Sequence, residues 1–292
     1  MGLPREPSPK GEGSHRSGRG ADPEIITSRK NPLIQELRDL IRSSNRRIAR
    51  CVVEGRRALE AAAANGAEIQ RVVHTPDATA DPSTAAVLER LRATGIRIIT
   101  VSAYVFAPLS QVESPQGVLA VARRPREATP SLLADPRVLL VVLDGLQDPG
   151  NVGTILRTAA AAGAAGALIV GPTADPFGPK AIRASAGAVF GVPVRWVASA
   201  EDCGEALAAH RVRVLIADPR GDHLDSDTSF ARPLALVFGG EGRGAGAAWK
   251  RYGTTVRLSM AGTVESLNVA AAAAVLLYRV PPTLGPEDRA ER

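Results

Sequence analysis

The sequence predicts an α/β protein built from two units, the larger one around a parallel sheet. Continuous apolar runs recur at residues 138–143, 167–170, 194–197, 212–217 and 234–238, the pattern of strands buried on both faces. Helical stretches lie between these runs, and such alternation implies a sheet covered by helices on both sides. Upstream, a shorter strand–helix alternation over 27–124 is divided from the runs by a proline-flanked stretch at 125–136, which reads as a linker.

Residues 1–26 are rich in Gly, Ser, Pro and charge and are expected to be disordered. Asn31-Pro32 then opens a helix, since Asn suits the N-cap and Pro the first helical position. Leu33, Ile34, Leu37, Leu40 and Ile41 form its apolar stripe. A strand is expected at 51–53, a helix at 56–65 closed by Gly66, a strand at 69–73, a helix at 83–94 stopped by Gly95, and a strand at 96–101. The larger unit spans 137–282 and finishes with a short strand, a glycine-containing loop and a helix at 269–278 made almost entirely of Ala, Val and Leu. Apolar all round, that helix is expected to be buried on every side, and its start carries Glu265, Ser266 and Asn268, polar groups that need partners when buried. Residues 283–292 form a second tail.

At 292 residues the chain is long enough for two cores. Its apolar runs are too short to cross a bilayer and its first residues too polar for a signal peptide, so a cytoplasmic location is expected. Cys51 and Cys203 lie far apart and the four histidines are scattered, which argues against a metal site. Charge is concentrated. Between Arg29 and Arg57 nine basic residues face three acidic ones, an excess equal to the whole chain's net +6. Such a patch is the footprint of a polyanionic partner, although a solvated surface would look the same.

In open parallel sheets ligands bind at the carboxyl ends of the strands, which directs attention to three loops. The first follows Leu143 and carries Asn151, placed to cap a helix that bears Arg157. The second, from Phe238 to Gly244, has four glycines, Gly239, Gly240, Gly242 and Gly244, around Glu241. These allow positive φ and close main-chain approach to a ligand, but their offsets differ from the dinucleotide fingerprint. The third runs from Leu258 through Met260, Gly262, Ser266 and Leu267 to Asn268.

In order, the three loops resemble the motifs of the SpoU branch of the SPOUT RNA methyltransferases. Asn151-x-Gly153-x-x-x-Arg157 is similar to the first motif and Gly239-x-Glu241-x-x-Gly244 to the second. Met260-x-Gly262-x-x-x-Ser266-Leu267-Asn268-Val269 is similar to the third. Ser259 stands where the family usually has proline. Asn31-Pro32, Val53-Glu54-Gly55-Arg56 and Ser114-Pro115-Gln116-Gly117 resemble the family's small ribosomal-protein-like substrate-binding domain, which favours ribosomal over transfer RNA.

The resemblance implies a deep trefoil knot, which connection rules alone would not anticipate, a homodimer, and S-adenosylmethionine as methyl donor. The donor would lie on Gly239, Gly240, Gly244, Leu258, Met260 and Leu267, and the acceptor would be a ribose 2′-hydroxyl. Asn151, Arg157, Glu241, Ser266 and Asn268 would form the catalytic group. Guanidinium groups are poor bases, so Arg157 is expected to hold the neighbouring phosphate and the developing alkoxide, a form of electrostatic stabilisation. Arg29, Lys30, Arg46, Arg47 and Arg56 would grip RNA backbone, and Arg183 and Ser185 would line its groove. With 3% aromatic residues, recognition by shape and phosphate is favoured over base stacking. Two rivals remain: an RNA-binding protein that keeps the fold without catalysis, and an α/β enzyme acting on a small anionic substrate.

Overall fold

The computed structural model describes residues 25–43, 48–240 and 244–282. Nearly all of both expected tails, together with Arg46, Arg47 and Glu241, lies outside the described residues.

The N-terminal unit begins with Ile26, expected to belong to the tail but held as a strand-like residue. Its amide donates to the Thr100 carbonyl and its carbonyl accepts from Ser102, each at 3.0 Å. Helix α1 (Pro32–Arg42) follows, capped as expected by Asn31, whose Oδ1 accepts from the Leu33 amide at 2.9 Å. Next come β1 (Arg50–Glu54), α2 (Arg56–Ala64), β2 (Ile69–His74), α3 (Pro82–Ala93), β3 (Arg97–Thr100), the single turn α4 (Ala103–Phe106) and β4 (Val118–Arg123). The sheet order is β1-β4-β2-β3. Strand β4 is central and antiparallel to both neighbours, while β2 and β3 are parallel. Its alternate residues serve two cores: Leu119 and Val121 pack with α1 and α4, while Val118, Ala120 and Ala122 join the larger unit's core.

The expected linker is partly structured. Leu133 is buried in a 3₁₀ turn, Pro130–Ala134, and the Ala128 amide donates to Val194 at 2.9 Å. The larger unit then runs β5 (Leu139–Asp144), α5 (Pro149–Ala161), β6 (Gly166–Val170), α6 (Pro179–Ala184), β7 (Val194–Val197), α7 (Ala200–Ala209), β8 (Arg213–Ala217), β9 (His223–Leu224), β10 (Leu234–Gly239), β11 (Thr254–Arg257) and α8 (Val269–Arg279). Its seven strands are ordered β7-β6-β5-β10-β8-β11-β9, every pair parallel. One sheet face packs on α5 and α8 through Leu139, Val141 and Leu143, the other on α7 through Leu140 and Val142. No described helix is long and apolar enough to cross a membrane.

Helix α8 departs from expectation. Ala270, Ala273, Leu276 and Leu277 are buried, yet Ala271, Val275 and Tyr278 form an exposed strip, with Tyr278 at 69%. In a single chain its apolar circumference is only partly covered.

Candidate functional site

The first requirement for a site at the sheet's carboxyl edge is space, and the strand order supplies it. A cavity of about 650 Å³ opens outside β8, β10 and β11. The loop after β10 contributes Gly239, Gly240 and Gly244 to its wall, and the loop after β11 contributes Leu258, Met260, Glu265, Ser266, Leu267 and Asn268. Two of the three expected loops therefore converge on one cavity.

Glycine is obligatory in the second loop for a steric reason. The chain turns back on itself so tightly that a Cβ on Gly239 would lie 1.9 Å from the Ala245 nitrogen. One on Gly240 would lie 2.6 Å from the Gly145 carbonyl oxygen, so main chain from the loops after β5 and β10 touches without intervening side chains. Gly240 and Gly244 close the turn as an antiparallel bridge. Beneath it, the buried Trp249 indole donates to Asp144 Oδ2 at 2.8 Å and ties the loop to the end of β5.

The first loop joins through a side-chain bond. Asn151 was expected to cap α5; Asp148 does so instead, accepting from the Gly150 amide at 3.1 Å with Pro149 in the first turn. A hydrogen bond from Lys180 at 2.6 Å and the Gly150 amide hold the Asp148 carboxyl below its ordinary value. Asn151 is thereby released to face the third loop, and its Oδ1 accepts from Asn268 Nδ2 at 3.1 Å. Asn268 in turn caps α8, accepting from the Ala270 and Ala271 amides at 2.9 and 3.4 Å. One side chain thus sets the start of α8 and its register against α5.

Arg157 is not brought into the cavity wall. It lies six residues beyond Asn151 on α5, about 9 Å further along and turned away by about 120°, and is exposed. Ser266 and Glu265 are also exposed, so the end of α8 that was expected to be dry is open in one chain.

The RNA-facing expectations fare unevenly. Lys30 is exposed. Arg29 lies over the Tyr104 ring at 3.7 Å from its centroid and donates to the Tyr104 carbonyl. Arg56 pairs with Glu60 at 2.7 Å. Ser185 is corrected outright: it is fully buried, its hydroxyl donates to the Ile182 carbonyl at 2.9 Å, and it lines no groove. Arg183 is drawn inward to Glu54 at 3.0 Å. Sequence reasoning missed Asp218, Pro219 and Arg220, which extend the cavity wall from the loop after β8. The signal was present: an Asp-Pro turn directly follows a buried strand at the same edge.

The parallel sheet and the cavity outside its carboxyl ends define an α/β protein that binds a small ligand at a strand-order crossover. A volume of this size suits such a ligand. Comparison with known proteins specifies the class. Residues 138–278 match the model of the SpoU rRNA Methylase family, and residues 52–128 match the model for RNA 2′-O ribose methyltransferase substrate binding. An uncharacterized tRNA/rRNA methyltransferase of Synechocystis sp. is 34% identical over 87% of this chain and 92% of its own length. The 23S rRNA (guanosine(2553)-2′-O)-methyltransferase RlmP of Bacillus subtilis is 35% identical over 64% and 73%. The crystal structure of the SpoU methyltransferase AviRb from Streptomyces viridochromogenes, in complex with the cofactor AdoMet, superposes with a TM-score of 0.74 at 28% identity, covering 85% of this chain and 97% of that one. The chain belongs to the SpoU family of RNA 2′-O-ribose methyltransferases.

Proposed function

We propose that this chain uses S-adenosylmethionine to methylate a ribose 2′-hydroxyl of RNA, in 23S ribosomal RNA. The observation that carries the reading is the Asn268–Asn151 hydrogen bond, because it joins the loop lining the cavity to the helix that bears Arg157. The cavity suits the donor chemically: glycine main chain at 239 and 240 for a flat nucleoside, apolar wall at Val256, Leu258 and Leu276, and charged side chains at Asp218, Arg220 and Glu265. When bound, the donor supplies a methyl made electrophilic by a sulfonium.

The chain's own residues do the rest. Asn151 and Asn268 fix the relation of α5 to the α8 loop, with Ser266 and Glu241 arranging the polar side of the site. Arg157 holds the phosphate beside the target ribose and the negative charge that grows on its 2′-oxygen. Charge stabilisation of this kind is strongest where water is excluded, and a single chain leaves Arg157 wet. The exposed strips suggest the remedy. Helices α5 and α8 pack together and leave Thr154, Arg157, Ala271, Val275 and Tyr278 uncovered. In our reading a homodimer buries these strips and encloses Arg157. The reading also includes a trefoil knot, supported by the return of α8 from the β11 side of the sheet to pack on α5 and β10, and a cytoplasmic location.

The test is transfer of labelled methyl from S-adenosylmethionine to unmethylated ribosomal RNA by the purified protein. Label in alkali-stable dinucleotides is expected, because a methylated 2′-oxygen blocks strand cleavage. Label on bases, or RNA binding with no label, contradicts the proposal. Arg157→Ala is expected to abolish transfer while cofactor affinity stays within about twofold; loss of cofactor binding would assign that side chain a different role.

A further inference from the structure

Arg183, expected to line an RNA groove, is instead paired with a buried carboxylate. Glu54, at the end of β1, has a side chain only 4% exposed, in a place where an ionised carboxylate must be fully paired. Its oxygens accept from the Ser110 hydroxyl, from the Gln111 amide at 3.2 Å and from Arg183 Nη1 at 3.0 Å. Ser110 and Gln111 belong to the N-terminal unit, whereas Arg183 closes α6 of the larger one. The pair therefore crosses between the two units.

On the α2 side of this pair the two units meet without room for an added methyl group. A Cβ on Gly187, just beyond α6, would lie 2.7 Å from the Ala58 carbonyl oxygen of α2, and one on Gly191 would lie 2.3 Å from Asn65 Oδ1. A second, half-buried bridge, Arg124 to Asp175 at 2.6 Å, also joins the two units. Helix α6 is packed equally hard on α5: a Cβ on Gly153 would lie 2.3 Å from the Ala181 carbonyl oxygen and 2.9 Å from the Ser185 nitrogen. Gly153 is two residues from Asn151. A continuous path thus runs from the N-terminal sheet through the Glu54–Arg183 side-chain pair to α6, and from α6 by close backbone contact to the helix that carries Asn151 and Arg157.

We infer that Glu54 and Arg183 are positioning residues that clamp the N-terminal unit to α6 and so fix where bound RNA lies relative to the reacting centre. This rests on the methyltransferase reading above. A misplacement of about 1 Å produced far from the chemistry can lower turnover about a hundredfold, and two residues acting as one unit lose their effect together.

The experiment uses the full chain with Glu54→Gln, Arg183→Gln, the double variant and Arg183→Lys. Steady-state methylation of ribosomal RNA is measured beside cofactor affinity, which also reports folding. The clamp predicts that kcat falls about a hundredfold in each single variant and no further in the double. KM for RNA and cofactor affinity are expected to stay within about twofold, and Arg183→Lys, which can still pair with Glu54, recovers part of kcat. If Arg183 instead contacts RNA directly, Glu54→Gln keeps its full kcat and only the Arg183 variants raise KM; that result overturns the inference. Hydrogen exchange of α6 amides needs no turnover. It is expected to quicken at least tenfold in Glu54→Gln and Arg183→Gln, and unchanged exchange overturns the clamp even if the wild-type protein transfers no methyl group. Absence of wild-type transfer with quickened exchange would count against the proposed activity alone.

Discussion

Gly153→Ala sets local helix preference directly against tertiary packing. Alanine is favoured over glycine inside a helix by about 1 kcal/mol, so α5 considered alone would gain. The added Cβ, however, meets three atoms of the α6 segment: the Ala181 carbonyl oxygen at 2.3 Å, the Ala184 Cβ at 2.8 Å and the Ser185 nitrogen at 2.9 Å. Two are backbone, and ordinary contact is about 3.5 Å or more, so α5 and α6 must separate by about 1 Å. Overpacking costs about 1–3 kcal/mol. The upper end applies because neither helix is free to move: Asn151 is bonded to Asn268, and Arg183 to Glu54. The expected outcome is a net loss of about 2 kcal/mol in urea unfolding, together with reduced methyl transfer as Asn151 and Arg157 shift. Gly150→Ala, whose Cβ would meet the Asp148 side chain first, at 3.1 Å, should change stability by less than about 1 kcal/mol. If Gly153→Ala is as stable as wild type or more so, helix preference has won and the tight α5–α6 contact is refuted.

Asn268→Asp should separate capping from site geometry. Aspartate still caps α8, so stability should stay within about 1 kcal/mol, but the donor to Asn151 is lost and methyl transfer should drop at least tenfold; unchanged transfer would show that the Asn–Asn bond is dispensable. Glu36 gives a pH test. Burial pushes its carboxyl up, but hydrogen bonds from Arg50 and Arg71 outweigh this and leave it below the ordinary 4.5. Its folded value is depressed, so its contribution is complete above about 4.5 and is lost as pH falls through the lower folded value; Glu36→Gln should flatten that part of the stability–pH curve, and an unchanged curve would refute the assignment. Val275→Glu places a charge on the exposed strip of α8. Sedimentation should show a folded monomer with little transfer, and a persisting dimer would rule this face out as the contact.

Most strands of the larger unit were legible because burial on both faces leaves an uninterrupted apolar signature, as at Leu139 to Leu143. The site was legible only as far as local chemistry reaches. Glycines 239 and 240 reveal a tight turn, but nothing in them tells that Gly240 presses on Gly145. Asn151 looked like a cap because Asn and Asp serve equally well there, and the choice fell to Asp148 beside Pro149. Ser185 and Arg183 looked like RNA ligands because a basic helix end reads the same whether it faces solvent or a buried carboxylate. Strand β4 was missed although its neighbours β1 and β2 were both expected, and the exposed strip of α8 is invisible to a pattern that is apolar on every side.

The central claim is that the cavity between the glycine loop and the α8 loop serves methylation of a ribose 2′-hydroxyl in 23S ribosomal RNA. Its most direct test is a map of 2′-O-methyl positions in 23S ribosomal RNA from cells with and without this protein. The account predicts that one position loses its methyl group on deletion and regains it with wild-type protein but not with Arg157→Ala. An identical map in both cells would contradict it.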